Sequence, residues 1–170
     1  MADSDPGTEA TRAGVTIRDA RPGDTGTILR LLRDLAEYEK LTHEVKATED
    51  ALRAALFGPV PRAHALIADL DGQPVGFALW YFRFSSFACR SSLFVEDVFV
   101  TPAHRGEGIG RAIFANLARR ASTDESGRME WQVLDWNAPS IAFYRGLGAR
   151  PVEGWTTYAI AGEALAALAA

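Results

Sequence analysis

Apolar residues recur along this chain at two spacings, helical and alternating, and the switches between them mark its elements. Ile28, Leu31, Leu32, Leu35 and Tyr38 form one continuous stripe, which predicts a helix capped by Asp24 or Thr25. A second helix is expected from about Thr48 to Phe57, with Glu49 and Asp50 in its first turn and Gly58-Pro59 at its end. Val15-Thr16-Ile17 reads as a short strand before the first helix. Three strands follow the second: His64 to Asp69, Val75 to Phe84 and Ser92 to Val100, the first two joined by the hairpin signal Asp71-Gly72. Gly108 to Ala121 is a helix, Met129 to Leu134 a strand, Ser140 to Arg145 a short helix and Thr156 to Ile160 a last strand. Glu163 to Ala170 is a weak Ala-rich helix. This order gives an α/β or α+β domain built on a mixed sheet.

Met1 to Gly14 holds no Val, Ile, Leu or aromatic residue and is expected to be a disordered tail before a single domain over 15–170. The 170 residues are enough for one core without staples. No apolar run approaches the roughly 18 residues that suggest a membrane span. A net charge of −4 argues against an electrostatically driven nucleic-acid binder. One cysteine, Cys89, precludes an internal disulfide, and no Cys/His pair has zinc-ligand spacing, so no metal is expected. No apolar leader follows Met1, so a reducing cytoplasm is the expected location.

The most informative segment runs from Val98-Phe99-Val100 through Thr101-Pro102-Ala103-His104 to Arg105-Gly106-Glu107-Gly108-Ile109-Gly110-Arg111. A strand enters a loop of three alternating glycines, and the loop opens a helix. Such a loop lets backbone N–H groups approach a phosphate at the positive end of the helix. Arg105 and Arg111 can add charge-assisted contacts, and His104 can reach a phosphate or simply face solvent. A Walker loop is excluded, because no Lys-Ser or Lys-Thr pair follows the last glycine. A dinucleotide fingerprint fits poorly: its third glycine would fall at Arg111 or Ile113. A glycine-rich helix start without a ligand stays open on this segment alone.

Arg105 to Gly110 matches the coenzyme A loop R/Q-x-x-G-x-G/A of the GNAT superfamily of N-acyltransferases, and the order of elements is similar to the GNAT core. Further segments resemble its diamine and polyamine N-acetyltransferase branch. These are Leu35-Ala36-Glu37-Tyr38-Glu39, Gly76 to Phe82, Val95-Glu96-Asp97-Val98-Phe99-Val100, Trp136 to Tyr144 and Glu153-Gly154-Trp155. The resemblance implies a mixed central sheet of six to seven strands flanked by helices. It also implies acetyl-CoA as cosubstrate, direct transfer to a small primary amine, and a homodimer.

Acyl transfer from a thioester asks for removal of an amine proton, stabilisation of the thioester oxygen and a proton for the departing thiolate. Glu96 lies among Phe94, Val95, Val98 and Phe99, where burial would raise a carboxylate towards general-base range. The resemblance assigns it the amine contact and a base role; strand alternation could instead turn it to solvent. Asp97, its neighbour, is expected on the opposite face of the sheet. The resemblance makes Tyr144 the acid beside the coenzyme sulfur, while a core aromatic is its plain reading. Asn137 is a natural helix cap; the resemblance also places it, with Ser140, at the coenzyme. Backbone N–H groups near Phe99 or Val100 would hold the oxyanion where the strand parts from its neighbour.

On the acceptor side the resemblance points to Tyr38, Glu39, Glu130 and Trp131, with Gln132, Glu153 and Trp155, and to Glu37. Carboxylates and aromatics suit an alkylammonium, although Glu37 and Glu39 could equally be a solvated helix face. Ser86 stands where the polyamine pattern has an acid, and the connection Ala149 to Glu153 is short. Both departures favour a smaller amine or a lysine analogue over spermidine or spermine. A non-catalytic coenzyme A-binding module would keep the loop but need neither Glu96 nor Tyr144.

Overall fold

Successive side chains of a strand point to opposite faces of its sheet, and here both faces find a cover. The computed structural model describes residues 12–123 and 127–170, which divide into two units, one through Gln132 and one from Val133. The first holds a five-stranded sheet in the order β1 (Val15–Asp19), β2 (His64–Leu70), β3 (Gln73–Ser85), β4 (Arg90–Val100) and β5 (Met129–Trp131). Neighbours are antiparallel except β4 and β5, which run parallel. Asp71 and Gly72 both have positive φ (50° and 80°), the two-residue turn that their pairing predicts.

Leu66, Ala68, Ala78, Trp80, Leu93 and Val95 face α3 (Ile109–Thr123) and pack on its Ile109, Ile113, Leu117 and Ala121. Ala65, Ile67, Phe77, Leu79 and Phe99 face the other way. They pack against Ile28, Leu31 and Leu35 of α1 (Thr25–Glu39) and Leu56 of α2 (Glu49–Phe57). Each fully buried Ile or Leu contributes about 1.5–3 kcal/mol.

Asp24 occupies the N-cap position of α1 but makes no side-chain cap bond. Its carboxylate instead accepts from Arg18 at 2.7 Å and from the Arg21 amide, and Arg18 also reaches Asp69 at 2.6 Å. The Arg18 hydrogen bond holds Asp24 below the usual carboxylate range. This network ties the start of α1 to the sheet. At its other end α1 stops at a left-handed Lys40 (φ 62°), and Leu41 N–H closes back on Ala36.

In the second unit, α4 (Ala138–Gly146) and α5 (Gly162–Leu168) are the regular elements. One expectation needs correcting. The sheet has five strands rather than six or seven, because Thr156–Ile160 is not a strand, and β5 ends at Trp131, short of the expected Leu134. Tyr158 is 90% exposed, so the alternation there finds neither ladder nor core to fix it. Arg12 N–H donates to Glu107 O and Asp71 N–H to Gly14 O. Most of the expected tail, residues 1–11, lies outside the described ones. Among the described residues no helix is long and apolar enough to cross a membrane.

Candidate active site

The pairing of β3 with β4 slips by one residue at the middle of the sheet. Leu79 pairs with Asp97 and Trp80 with Val95, so Glu96 is the extra residue of a β-bulge. The packing records the slip. Leu93 and Val95 face α3, while Phe99, which unbroken alternation would put beside them, packs against α1. Val98 and Val100 pack on the α3 side. The bulge therefore corrects the expectation that Glu96 and Asp97 face opposite sides. Both line one cavity of about 400 Å³ under the end of α1.

Leu32, Leu35, Ala36 and Glu39 of α1 form one wall of that cavity, and Leu41, Glu44, Val45, Lys46 and Ala47 of the following segment form another. The left-handed turn at Lys40 is what folds that segment over it. Burial pushes Asp97 from an ordinary 3.8 up to about 6, and the charges of Glu96 and Glu39 add to the shift. Burial also raises Glu39. Glu96 itself is exposed. Strand alternation alone puts Asp97 on the face opposite Glu96, since nothing in the sequence signals a bulge.

β4 meets β5 only over Leu93–Val95, so among the described residues Asp97 to Val100 keep β3 as their one strand partner. Thr101 N–H donates to Val75 O in β3. Alternation then turns the N–H and C=O of Val100 to the opposite edge, where its carbonyl accepts from Arg105 Nε at 3.0 Å. This parting of strands is what the resemblance implied.

Beyond Val100, the turn Pro102–His104 leads to Gly106 (φ 78°) and Gly108 (φ 76°), then to the first residue of α3, Ile109. The leading amides of a helix lack intrahelical acceptors. A Cβ on Gly106 would meet no atom within 4 Å, so the backbone there is open to a ligand. The loop fits a pyrophosphate-bearing coenzyme. Its one acid, Glu107, is neutralised: Oε1 pairs with Arg12 at 2.5 Å, and Oε2 lies 3.4 Å from His104 Nδ1. Arg105 lies over the rings of Tyr38 (4.4 Å) and Phe99 (5.5 Å), joining the loop to the end of α1.

The other predicted residues are placed as follows. Glu130, largely buried, pairs with Arg83 and Arg128 and accepts from Ser92, so its charge is already matched. Trp131 meets the Phe114 ring edge-on, and Gln132 and Glu37 are exposed. Arg111 is half-buried on α3. In the second unit, Asn137 Oδ1 accepts from Ser140 N–H as the cap of α4. Tyr144 is half-buried with its ring 5.5 Å from that of Phe143, while Glu153 and Trp155 are exposed.

A family model described as the acetyltransferase (GNAT) family matches residues 27–149. The chain is 42% identical over 168 residues to a thialysine N-epsilon-acetyltransferase of Sus scrofa, covering 92% of this chain and 98% of the relative. It is 36% identical over 149 residues to a spermidine/spermine N(1)-acetyltransferase-like protein of Homo sapiens, covering 82% of this chain and 21% of that one. An integron cassette protein from the mobile metagenome of V. cholerae shares the fold, with a TM-score of 0.76 at 23% identity over 93% of this chain and 99% of the other. With a family match over most of its length and an open glycine loop at the head of α3, the chain belongs to the GNAT family of acetyltransferases and is an acyltransferase.

Proposed function

We propose that this acyltransferase moves an acetyl group from acetyl-CoA directly to the primary amine of a small molecule of the lysine-analogue, diamine or polyamine type. One observation carries the reading: the cavity sets Glu39, Glu96 and Asp97 against the apolar walls of Leu32, Leu35 and Leu41. Carboxylates draw in an alkylammonium, and apolar walls take its methylenes. The names of the thialysine and spermidine/spermine relatives support the same class.

The coenzyme, when bound, supplies an acetyl group activated as a thioester. Gly106 to Arg111, the Val98–Val100 edge, Asn137 and Ser140 are the residues proposed to hold it. Glu96 and Asp97 act as a pair that anchors the ammonium and takes its proton. As the carbon–nitrogen bond forms and the carbon–sulfur bond breaks, Val100 N–H is the proposed donor to the developing oxyanion. Tyr144 is the proposed acid for the leaving sulfur, and Tyr144→Phe should lower kcat at least about 100-fold. No covalent acyl-enzyme is required. Assembly as a homodimer in the cytoplasm completes the reading. The exposed thiol of Cys89 suits a reducing compartment, and exposed Phe87, Trp155 and Tyr158 suit cover by a second copy.

The test is acetyl-CoA-dependent thiol release against lysine analogues, diamines, polyamines, aminoglycosides and peptide amino termini. Turnover confined to the first three classes supports the reading. Coenzyme binding by calorimetry without turnover on any amine would overturn it.

A further inference from the structure

The amine cavity carries one feature that a site for polycations would not need. The chain has sixteen arginines but only two lysines, Lys40 and Lys46, and both follow the end of α1. Lys40 makes the left-handed turn; Lys46 lines the cavity itself, five residues beyond Leu41 in chain order after the turn Thr42–Glu44. It is the cavity's one cation, set among Glu39, Glu44, Glu96 and Asp97. Lys46 forms no ion pair among the described residues, so its ammonium is not consumed by those carboxylates. A diamine or polyamine has only positive charge to offer, and Lys46 would repel it. An amino acid with a side-chain amine offers two ammonium groups and one carboxylate, which matches a cavity of several acids and a single lysine.

Resting on the acceptor reading above, we propose that Lys46 is a specificity-determining residue. It pairs with the α-carboxylate of an amino acid whose side-chain amine is acetylated. Glu96 and Asp97 hold the reacting amine, and Glu44, two residues before Lys46, faces the α-ammonium. The volume of about 400 Å³ lies within the range of small-molecule sites and admits a molecule of this length. The cavity thereby rejects simple diamines by a repulsive charge as well as selecting amino acids by an attractive one.

The experiment compares three acceptors of equal length: thialysine, its methyl ester, and the diamine left when its carboxyl group is removed. Wild-type protein should favour the free acid by about tenfold or more in kcat/KM, with the difference mainly in KM. Lys46→Met should abolish that preference, Lys46→Arg should restore most of it, and Lys46→Glu should turn it towards the diamine. A Lys46→Glu protein that gains on the diamine is folded by that fact alone. Equal use of all three acceptors by the wild type, or an unaltered ratio in Lys46→Met, would overturn the role of Lys46 while leaving amine acetylation in place. Absence of thiol release with every acceptor and every variant would remove the acceptor reading itself, and this inference with it.

Discussion

Glu96 and Asp97 are consecutive in β4, yet both line the cavity under α1, because the bulge gives Glu96 no partner of its own in β3. Of these two carboxylates on one side of a sheet, Glu96 is exposed and Asp97 half-buried, and burial together with the charge of Glu96 favours the protonated form of Asp97. The pair is therefore set to receive a cation or a proton, and this arrangement governs the first two predictions.

Asp97, pushed up to about 6, should impose an acidic limb on kcat/KM: activity falls as pH drops through about 6, where its anion is lost. Its effect on stability has the opposite sense. The folded protein keeps this proton up to about pH 6, whereas the unfolded chain releases it near 3.8. Stability should thus decline as pH rises through that window, by up to roughly 3 kcal/mol above it. Asp97→Asn, which has no such proton, should unfold at higher urea than wild type at pH 8 and match it near pH 4. Urea midpoints at the two pH values check this; a gap that does not depend on pH would contradict it.

Glu96→Gln and Glu130→Gln should separate two of the acids assigned to the amine side. Glu96 faces the cavity, and its loss should lower kcat/KM by at least about 100-fold. Glu130 is held by Arg83 and Arg128, so its replacement should act on stability, leaving two guanidinium groups without their partner. Amine kinetics beside chemical denaturation of each variant distinguishes the outcomes.

Arg12 neutralises the only acid in the glycine loop. Without it, the charge of Glu107 remains beside the incoming phosphates. Arg12→Ala should weaken coenzyme A binding about three- to tenfold, and Arg12→Ala with Glu107→Gln should recover most of the loss. Calorimetry on the four proteins of this cycle reads the coupling directly. Additive losses would show that the contact does not serve the loop.

Gly106 adopts φ 78° with open space where a Cβ would sit, so Gly106→Ala meets no internal clash. The left-handed backbone should still cost about 1 kcal/mol in stability. The added methyl should also weaken coenzyme A binding by about tenfold, since it would occupy the face offered to phosphate. Unchanged affinity would mean that phosphate approaches the loop elsewhere.

Helical spacing marked α1, α2 and α3 because each buries a continuous stripe, and stripes are a property of local sequence. The Asp71-Gly72 turn was equally legible, since left-handed backbone is tolerated by few residues. The glycine loop could be read because its function depends on missing side chains. Thr156–Ile160 misled, because its alternation has no ladder to join. The Arg12–Glu107 contact was not legible, because a lone arginine in a polar stretch does not announce an acid 95 residues away.

The sequence by itself determined the helices, the turn, the phosphate loop and the family, all carried by contiguous residues. The tertiary structure decided which carboxylates meet. A bulge exists only between two strands in register, and a cavity only where a helix end, a turn and a strand converge. The half-buried partner, Asp97, and the cavity's one cation, Lys46, gain their chemistry from that convergence. Neither burial nor the field of neighbouring charges is written in the order of residues along the chain.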